Sequence, residues 1–320
     1  MPDNSSIPHF NSQSNKRCGF VAFVGRPNVG KSTLLNHLLG QKLSITSRKP
    51  QTTRHRIMGI DTLKAEIKGS KTDVQMIYID TPGIHKEEPK AINRFMNRAA
   101  SSTITDVDVV VFIVEPKKWT EDDELVLQHI KKTDKPIILF VNKIDQIKSK
   151  DVLLPFLQVL AAKHDFQHLI PGAALQGDQV KPLRDLLVSY MPEGDFVYPE
   201  DYYTDRSERF LAAEIIREKL IRQLGDELPY SITVEIEQFK LDEKGTIHIN
   251  GLIFVERNGQ KSIVIGKGGS RLKKVGTDAR KDMAELFERK IFLELWVKVK
   301  DGWADDERAL RSLGFEEHLK

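Results

Sequence analysis

The chain of 320 residues has a single cysteine, Cys18. It can form no internal disulfide and no cysteine-based zinc cluster, which fits a reducing compartment. Long apolar runs are missing as well. The longest, at 107–114 and 136–141, fall far short of the ~20 residues that span a bilayer. The opening MPDNSSIPHFNSQSNKR holds no apolar core and does not read as a secretory signal. Nor does one sign of charge dominate: 49 Lys and Arg against 46 Asp and Glu leave +3. A polyanionic partner would therefore have to be met by a local basic cluster, not by bulk charge.

What is present suffices for two packed domains, with 40% hydrophobic residues over 320 positions. The Ser- and Asn-rich residues 1–17 are expected to form a disordered tail. From 18 to 190, apolar β-branched stretches (GFVAFVG, VQMIYIDTPG, DVDVVVFIVE, KPIILFVNKID) alternate with helical ones (AINRFMNRAASSTI, EDDELVLQHIKK, KPLRDLLVSYM). That alternation predicts an α/β domain with a mostly parallel sheet and helices on both faces. Its functional residues should gather at the C-terminal ends of the strands. Residues 191–204, with Pro, Gly and acidic residues, read as a linker. The remainder, 205–320, predicts a smaller α+β unit in the order helix, strand, strand, helix, helix, strand.

Three motifs at those strand ends define one chemistry. Gly25-Arg26-Pro27-Asn28-Val29-Gly30-Lys31-Ser32-Thr33 satisfies the phosphate-loop pattern between a strand and a helix. Its backbone N–H groups would face phosphates, Lys31 would reach the β- and γ-phosphates, and the Ser32 hydroxyl would bind Mg²⁺. Asp80-Thr81-Pro82-Gly83 supplies a carboxylate for Mg²⁺ and an N–H, that of Gly83, for the γ-phosphate. In Asn142-Lys143-Ile144-Asp145, the Asp145 carboxylate would accept hydrogen bonds from N1–H and the 2-amino group of guanine. Adenine has neither donor and would leave the carboxylate unpaired. The expected ligands are GTP, GDP and Mg²⁺.

A second glycine cluster, Ile265-Gly266-Lys267-Gly268-Gly269 followed by Arg271, Lys273 and Lys274, lies outside this domain and lacks the Gly-Lys-Ser end. It reads as the GXXG loop of a type II KH domain. Glycines there let the backbone approach a single-stranded nucleic-acid backbone, and adjacent apolar residues line a groove for bases. RNA and single-stranded DNA both fit that chemistry.

Together with PQTTRHRI, SERFLAAEIIREKLIRQLGDELPYS and DGWADDERALRSLG, these motifs resemble the Era family of bacterial GTPases, from Gly19 onward. The resemblance implies a slow GTPase in which Thr53, Lys31 and Gly83 do the catalytic positioning and Thr53 joins Ser32 and Asp80 around Mg²⁺. It implies that Ala173-Ala174 stand where the family has a serine–alanine pair, with a backbone N–H to guanine O6. Likeness to potassium-stimulated GTPases marks Asn28 as a K⁺ ligand; ordinary turn chemistry is the other reading of Asn28. Ile84 occupies the position where many GTPases carry a glutamine that orients water. The implied partners are the 3′ region of 16S ribosomal RNA and the 30S subunit, whose assembly and maturation a monomeric, cytoplasmic protein with no stable protein partner would serve. A peripheral contact with the inner membrane stays open. So does a nucleotide-gated RNA-binding module with negligible unassisted hydrolysis.

Overall fold

The computed structural model describes residues 15–47, 49, 52–83, 91–116, 118–224 and 232–312. Six strands form the first sheet: β1 (Lys16–Val24), β2 (Ile57–Ile67), β3 (Ser70–Asp80), β4 (Val109–Val114), β5 (Ile137–Val141) and β6 (His168–Pro171), in the order β2-β3-β1-β4-β5-β6. All pairings are parallel except β2 with β3. Five helices cover it: α1 (Lys31–Leu39), α2 (Ala91–Thr103), α3 (Glu121–Ile130), α4 (Leu153–Ala161) and α5 (Val180–Val188).

The alternation along β1 explains the two layers. Val21 and Phe23 point into a core with Leu34 and Leu35 of α1 and Leu183 and Leu187 of α5. Their neighbours Ala22 and Val24 face the other way, toward Ala100 of α2 and Val126, Leu127 and Ile130 of α3. A strand buried on both faces must be apolar at every position, and β4 (VVVFIV) is buried throughout.

Two differences from the sequence reading concern the N-terminal half. The tail expected over 1–17 ends earlier, because Lys16 and Arg17 already pair with Asp73 and Val74 of β3; residues 1–14 lie outside the described residues. Strand β2 was not anticipated. It joins β3 through Lys68 and Gly69, whose φ angles are 51° and 79°, the two left-handed residues of a tight hairpin.

Residues 191–204 are fastened to this domain. Cys18 N–H donates to Pro192 O at 3.1 Å, and Ile60 N–H to Tyr203 O at 3.0 Å. The buried Gln75 side chain accepts from the N–H groups of Val197 and Tyr198, 3.0 Å each, and donates to Tyr198 O at 2.9 Å.

The second unit keeps the expected order: α6 (Glu208–Gln223), β7 (Ile232–Leu241), β8 (Thr246–Val255), α7 (Asn258–Ile265), α8 (Ser270–Leu286) and β9 (Lys290–Val299). Its sheet runs β7-β8-β9, the first pair antiparallel and the second parallel. Ser207 caps α6, accepting from Phe210 N–H at 3.2 Å. The core of this unit includes Leu43 and Ile57 of the first domain, so the two units share apolar packing. Past β9, the fully buried Trp303 packs with Ala91, Ile92 and Phe95 of α2, beside a last helix, α9 (Glu307–Ser312).

Candidate functional site

The phosphate loop runs from β1 into α1 and needs glycine for reasons of space. A Cβ on Gly83 would lie 2.6 Å from the backbone nitrogen of Pro27, so the loop after β3 can close on the phosphate loop only as glycine. Gly25 and Gly30 have φ of 155° and 105°, and a side chain on Gly30 would collide with Asn142. Val29 is buried in the core below.

At the mouth of β3 three oxygens converge. Ser32 Oγ lies 2.6 Å from Asp80 Oδ2 and 2.8 Å from Thr53 Oγ1, and Thr53 Oγ1 lies 3.3 Å from the same carboxylate oxygen. Asp80 is wholly buried, and its other oxygen, Oδ1, has no protein partner. A hydroxyl pair and a carboxylate with an unused buried oxygen form an oxygen-only donor set, which fits a hard divalent cation such as Mg²⁺. Burial pushes the Asp80 carboxyl up, against the pull of Lys31 and the Ser32 hydroxyl. Lys31 is 5% exposed. Its ammonium donates to the carbonyls of Gly25 and Arg26, 3.0 Å each. Burial lowers its pKa to about 8, with Asp80 opposing and Arg26 adding to the shift. Thr81 is structural: its hydroxyl donates to Phe23 O at 2.8 Å, while Pro82 is buried beside it.

The base end is tied to the phosphate loop by one buried amide. Asn142 donates to Val29 O at 2.7 Å and accepts from Ala174 N–H at 2.9 Å. Lys143, at a φ of 66°, donates to Asn28 O at 2.6 Å and pairs with Glu115, which also holds Arg26. Burial resists ionisation of Glu115, yet the hydrogen bonds from Lys143 and Arg26 outweigh it and hold its carboxyl below the usual range. Asp145 stands exposed at the rim.

The N–H groups of Ala173 and Ala174 have partners within the protein, Asp178 O at 3.3 Å and Asn142 Oδ1. These bonds brace the loop in which the pair sits. Leu175, next in sequence, is 74% exposed and lines the cavity, an apolar face for a base that the sequence did not single out. Asn28 has a φ of 66°, a left-handed conformation that asparagine tolerates well, so turn geometry alone gives it a reason to be there. Ile84 lies outside the described residues.

A cavity of about 1000 Å³ brings Pro27, Asn28, Gly30, Lys31, Ser32, Thr33, Thr53, Gly83, Asn142, Lys143 and Asp145 together. The GXXG loop is elsewhere, between α7 and α8. Gly266, Gly268 and Gly269 have φ of 73°, 59° and 76°, and Lys267, Lys273 and Lys274 are exposed. Ile265 packs onto the core, and Arg271 is turned back onto Ile263 O, so it braces the loop. A Cβ on Gly266 would meet that of Arg271 at 2.8 Å, whereas Gly268 and Gly269 face open space.

A phosphate loop, an oxygen cluster beside it and an Asn-Lys-x-Asp base loop, joined to a KH fold, define a GTP-hydrolysing protein with a nucleic-acid-binding domain. Residues 20–143 match the family of 50S ribosome-binding GTPases, and residues 227–304 match the KH domain. The chain is 61% identical to GTPase Era of Glaesserella parasuis over 298 residues, 93% of this chain and 97% of the relative. It is 59% identical to GTPase Era of Actinobacillus pleuropneumoniae over 305 residues, 95% and 98% of the two chains. Among solved structures, an Aquifex aeolicus Era variant bound to GDP·AlF4⁻ superposes with a TM-score of 0.88 at 38% identity, covering 94% of this chain and all of the other. An Era complex with MgGDPNP and nucleotides 1506–1542 of 16S ribosomal RNA gives the same values. The chain belongs to the Era family of GTPases.

Proposed function

We propose that this chain is a GTP-driven switch that grips the 3′ region of 16S ribosomal RNA through its KH domain and serves assembly and maturation of the 30S subunit. The observation that carries this reading is a physical link. Thr53, in the oxygen cluster, sits on a loop that helix α6 of the KH unit and the residues flanking that helix hold at four described positions. Thr46 N–H donates to Glu218 at 2.9 Å; Arg217 donates to Thr52 O at 2.5 Å; Lys49 donates to Leu224 O and Arg206 to Arg56 O. A loop ordered by the γ-phosphate and released after hydrolysis would thus loosen its grip on the KH helix.

Within the pocket, Ser32, Thr53 and Asp80 would hold Mg²⁺, which would supply positive charge against the phosphates. Lys31 would leave the Gly25 and Arg26 carbonyls for the phosphates. Gly83 would offer its N–H to the γ-phosphate, and Asp145 would select guanine. Catalysis is then positioning and charge stabilisation. Asn28 as a K⁺ ligand would add positive charge beside the phosphates. Lys267, Lys273 and Lys274 would hold phosphates of the RNA, with Gly268 and Gly269 admitting its backbone. Residues 18–190 and 205–320 would act as the two working units. Among the described residues no helix is long and apolar enough to cross a membrane; attachment to a membrane surface would need to be peripheral.

Crosslinking of the GTP-bound protein to cellular RNA, mapped by nucleotide, tests the reading together with single-turnover hydrolysis with and without 30S subunits. Crosslinks at the 16S 3′ end and faster turnover with the subunit are expected. Crosslinks confined to other RNAs would overturn it.

A further inference from the structure

One wall of the nucleotide cavity comes from the KH unit. Ile221 and Arg222 of α6 line it, together with Lys31, Ser32 and Thr33 of the first domain. The chain's path explains how they get there. Asn36, in the middle of α1, accepts from the N–H groups of Leu43 and Ser44 at 2.9 and 2.8 Å. The loop after α1 therefore doubles back along the helix, and Thr46 lines the same cavity as Ser32 and Thr33 of its first turn. Arg222 is fixed to that point: its Nε and Nη2 donate to Thr46 O at 3.2 and 3.1 Å, and Nη2 also reaches Glu218 at 2.9 Å. Its Nη1 takes part in none of these contacts, and the side chain stays 47% exposed.

The charge at this wall is positive. Glu218, the acid that Arg222 touches, also pairs with Lys42 at 2.5 Å and Lys219 at 3.6 Å, and Asp282 is shared by the same two lysines. Three cations thus meet two carboxylates, and the guanidinium is the one of the three on the cavity. An arginine with free N–H donors beside a phosphate loop matches phosphate oxygens in charge and geometry.

We propose that Arg222 is a nucleotide-binding residue supplied in cis by the KH domain, its guanidinium meeting a phosphate oxygen of the bound guanine nucleotide. The inference rests on the GTP-binding reading above. It makes the pocket complete only while α6 is docked.

Equilibrium binding of Mg·GDPNP and of guanosine to the full chain tests it. Arg222→Ala should weaken GDPNP binding about tenfold, the loss of one charge-assisted hydrogen bond at a half-exposed site, and leave guanosine binding unchanged. Arg222→Lys should recover most of the loss, because the charge is kept. Unchanged GDPNP affinity in Arg222→Ala, or an equal loss for guanosine, would show that Arg222 only braces Thr46 and would sink the proposal. If the unaltered chain bound neither ligand, the GTP reading itself would fail, which is a separate result.

Discussion

The carboxylate of Glu218 lies 2.9 Å from the backbone N–H of Thr46, so a buried acid of the KH helix holds the loop that carries Thr53. Its side chain is fully buried and shared among Lys42, Lys219 and Arg222. Glu218→Ala would leave the two lysines with Asp282 and take from Arg222 its carboxylate partner. Breaking a buried ion network on one side costs about 3 kcal/mol. We expect a lower midpoint in thermal unfolding and faster release of a fluorescent GTP analogue; a melting curve and an off-rate equal to those of the unaltered chain would show the clamp to be idle.

A second prediction concerns pH. His55 lies between the loop and α6, its ring edge-on to Phe210 at 5.3 Å. Burial lowers its pKa to about 4; Glu214 pulls the other way, and Arg217, Arg206 and Arg54 add to the lowering. An unfolded histidine titrates near 6.5. Between those values the unfolded chain binds the extra proton, so stability rises with pH through that window and is lost on acidification. Going from pH 7 to 5 should cost on the order of 1 kcal/mol through this residue, since the ring keeps some solvent contact. Urea unfolding at the two pH values should show a smaller difference in His55→Gln than in the unaltered chain.

Base choice should be switchable at Asp145. Asparagine there replaces an acceptor by a group that can donate to an oxygen at C2. Asp145→Asn should weaken GTP binding by about 100-fold, the scale of two lost hydrogen bonds to a charged group, and improve binding of xanthosine triphosphate. Competition between the two nucleotides reads this directly, and unaltered preference for GTP would place base recognition elsewhere.

The GXXG loop offers a substitution that should harm binding at small cost to the fold. Gly268 has a φ of 59° and nothing within 4 Å of a Cβ. Aspartate tolerates that conformation better than most residues. Lys267→Asp with Gly268→Asp should abolish binding of a 16S 3′-end oligonucleotide while GTP turnover in its absence stays within about twofold, because the loop touches no part of the nucleotide cavity. Gly266→Ala, by contrast, should destabilise the domain, given the 2.8 Å approach to Arg271.

Asn28 separates two readings by salt. If it ligates K⁺, hydrolysis in potassium chloride should exceed that in sodium chloride at equal ionic strength, and Asn28→Ala should remove the difference. Equal rates in the two salts would leave only the turn at φ 66°.

The sequence made the phosphate loop, Asp80 and the KH order readable because each rests on local spacing. Gly25 to Thr33 is one uninterrupted strand–loop–helix, and the strand ends at Asp80 and Asn142 follow from apolar runs. Strand β2 was hidden because its second half, TLKAEI, is half exposed and polar, and Lys68-Gly69 is a weaker turn signal than Asn-Gly. Long-range partnerships were not readable at all. Nothing near Ala173 announces that its neighbour's N–H is committed to Asn142. The contacts of Arg222 with Thr46 and of Trp303 with Phe95 depend on how two units meet. Arg271 reads as a phosphate-binding residue by charge, and its contact with Ile263 O was not legible in the sequence.

The fastening of residues 191–204 along the first sheet has a further consequence. Thr204, whose hydroxyl donates to Met58 O at 2.7 Å, and Arg206, which donates to Arg56 O, pin the chain just before α6 begins at Glu208. The four residue steps from Thr204 to Glu208, at ~3.5 Å each, confine the start of α6 to within about 14 Å of Thr204. Tethering this short keeps the helix at a high effective concentration against the loop it binds. Each individual contact can then be weak enough to let go when the nucleotide changes, and still re-form without a search.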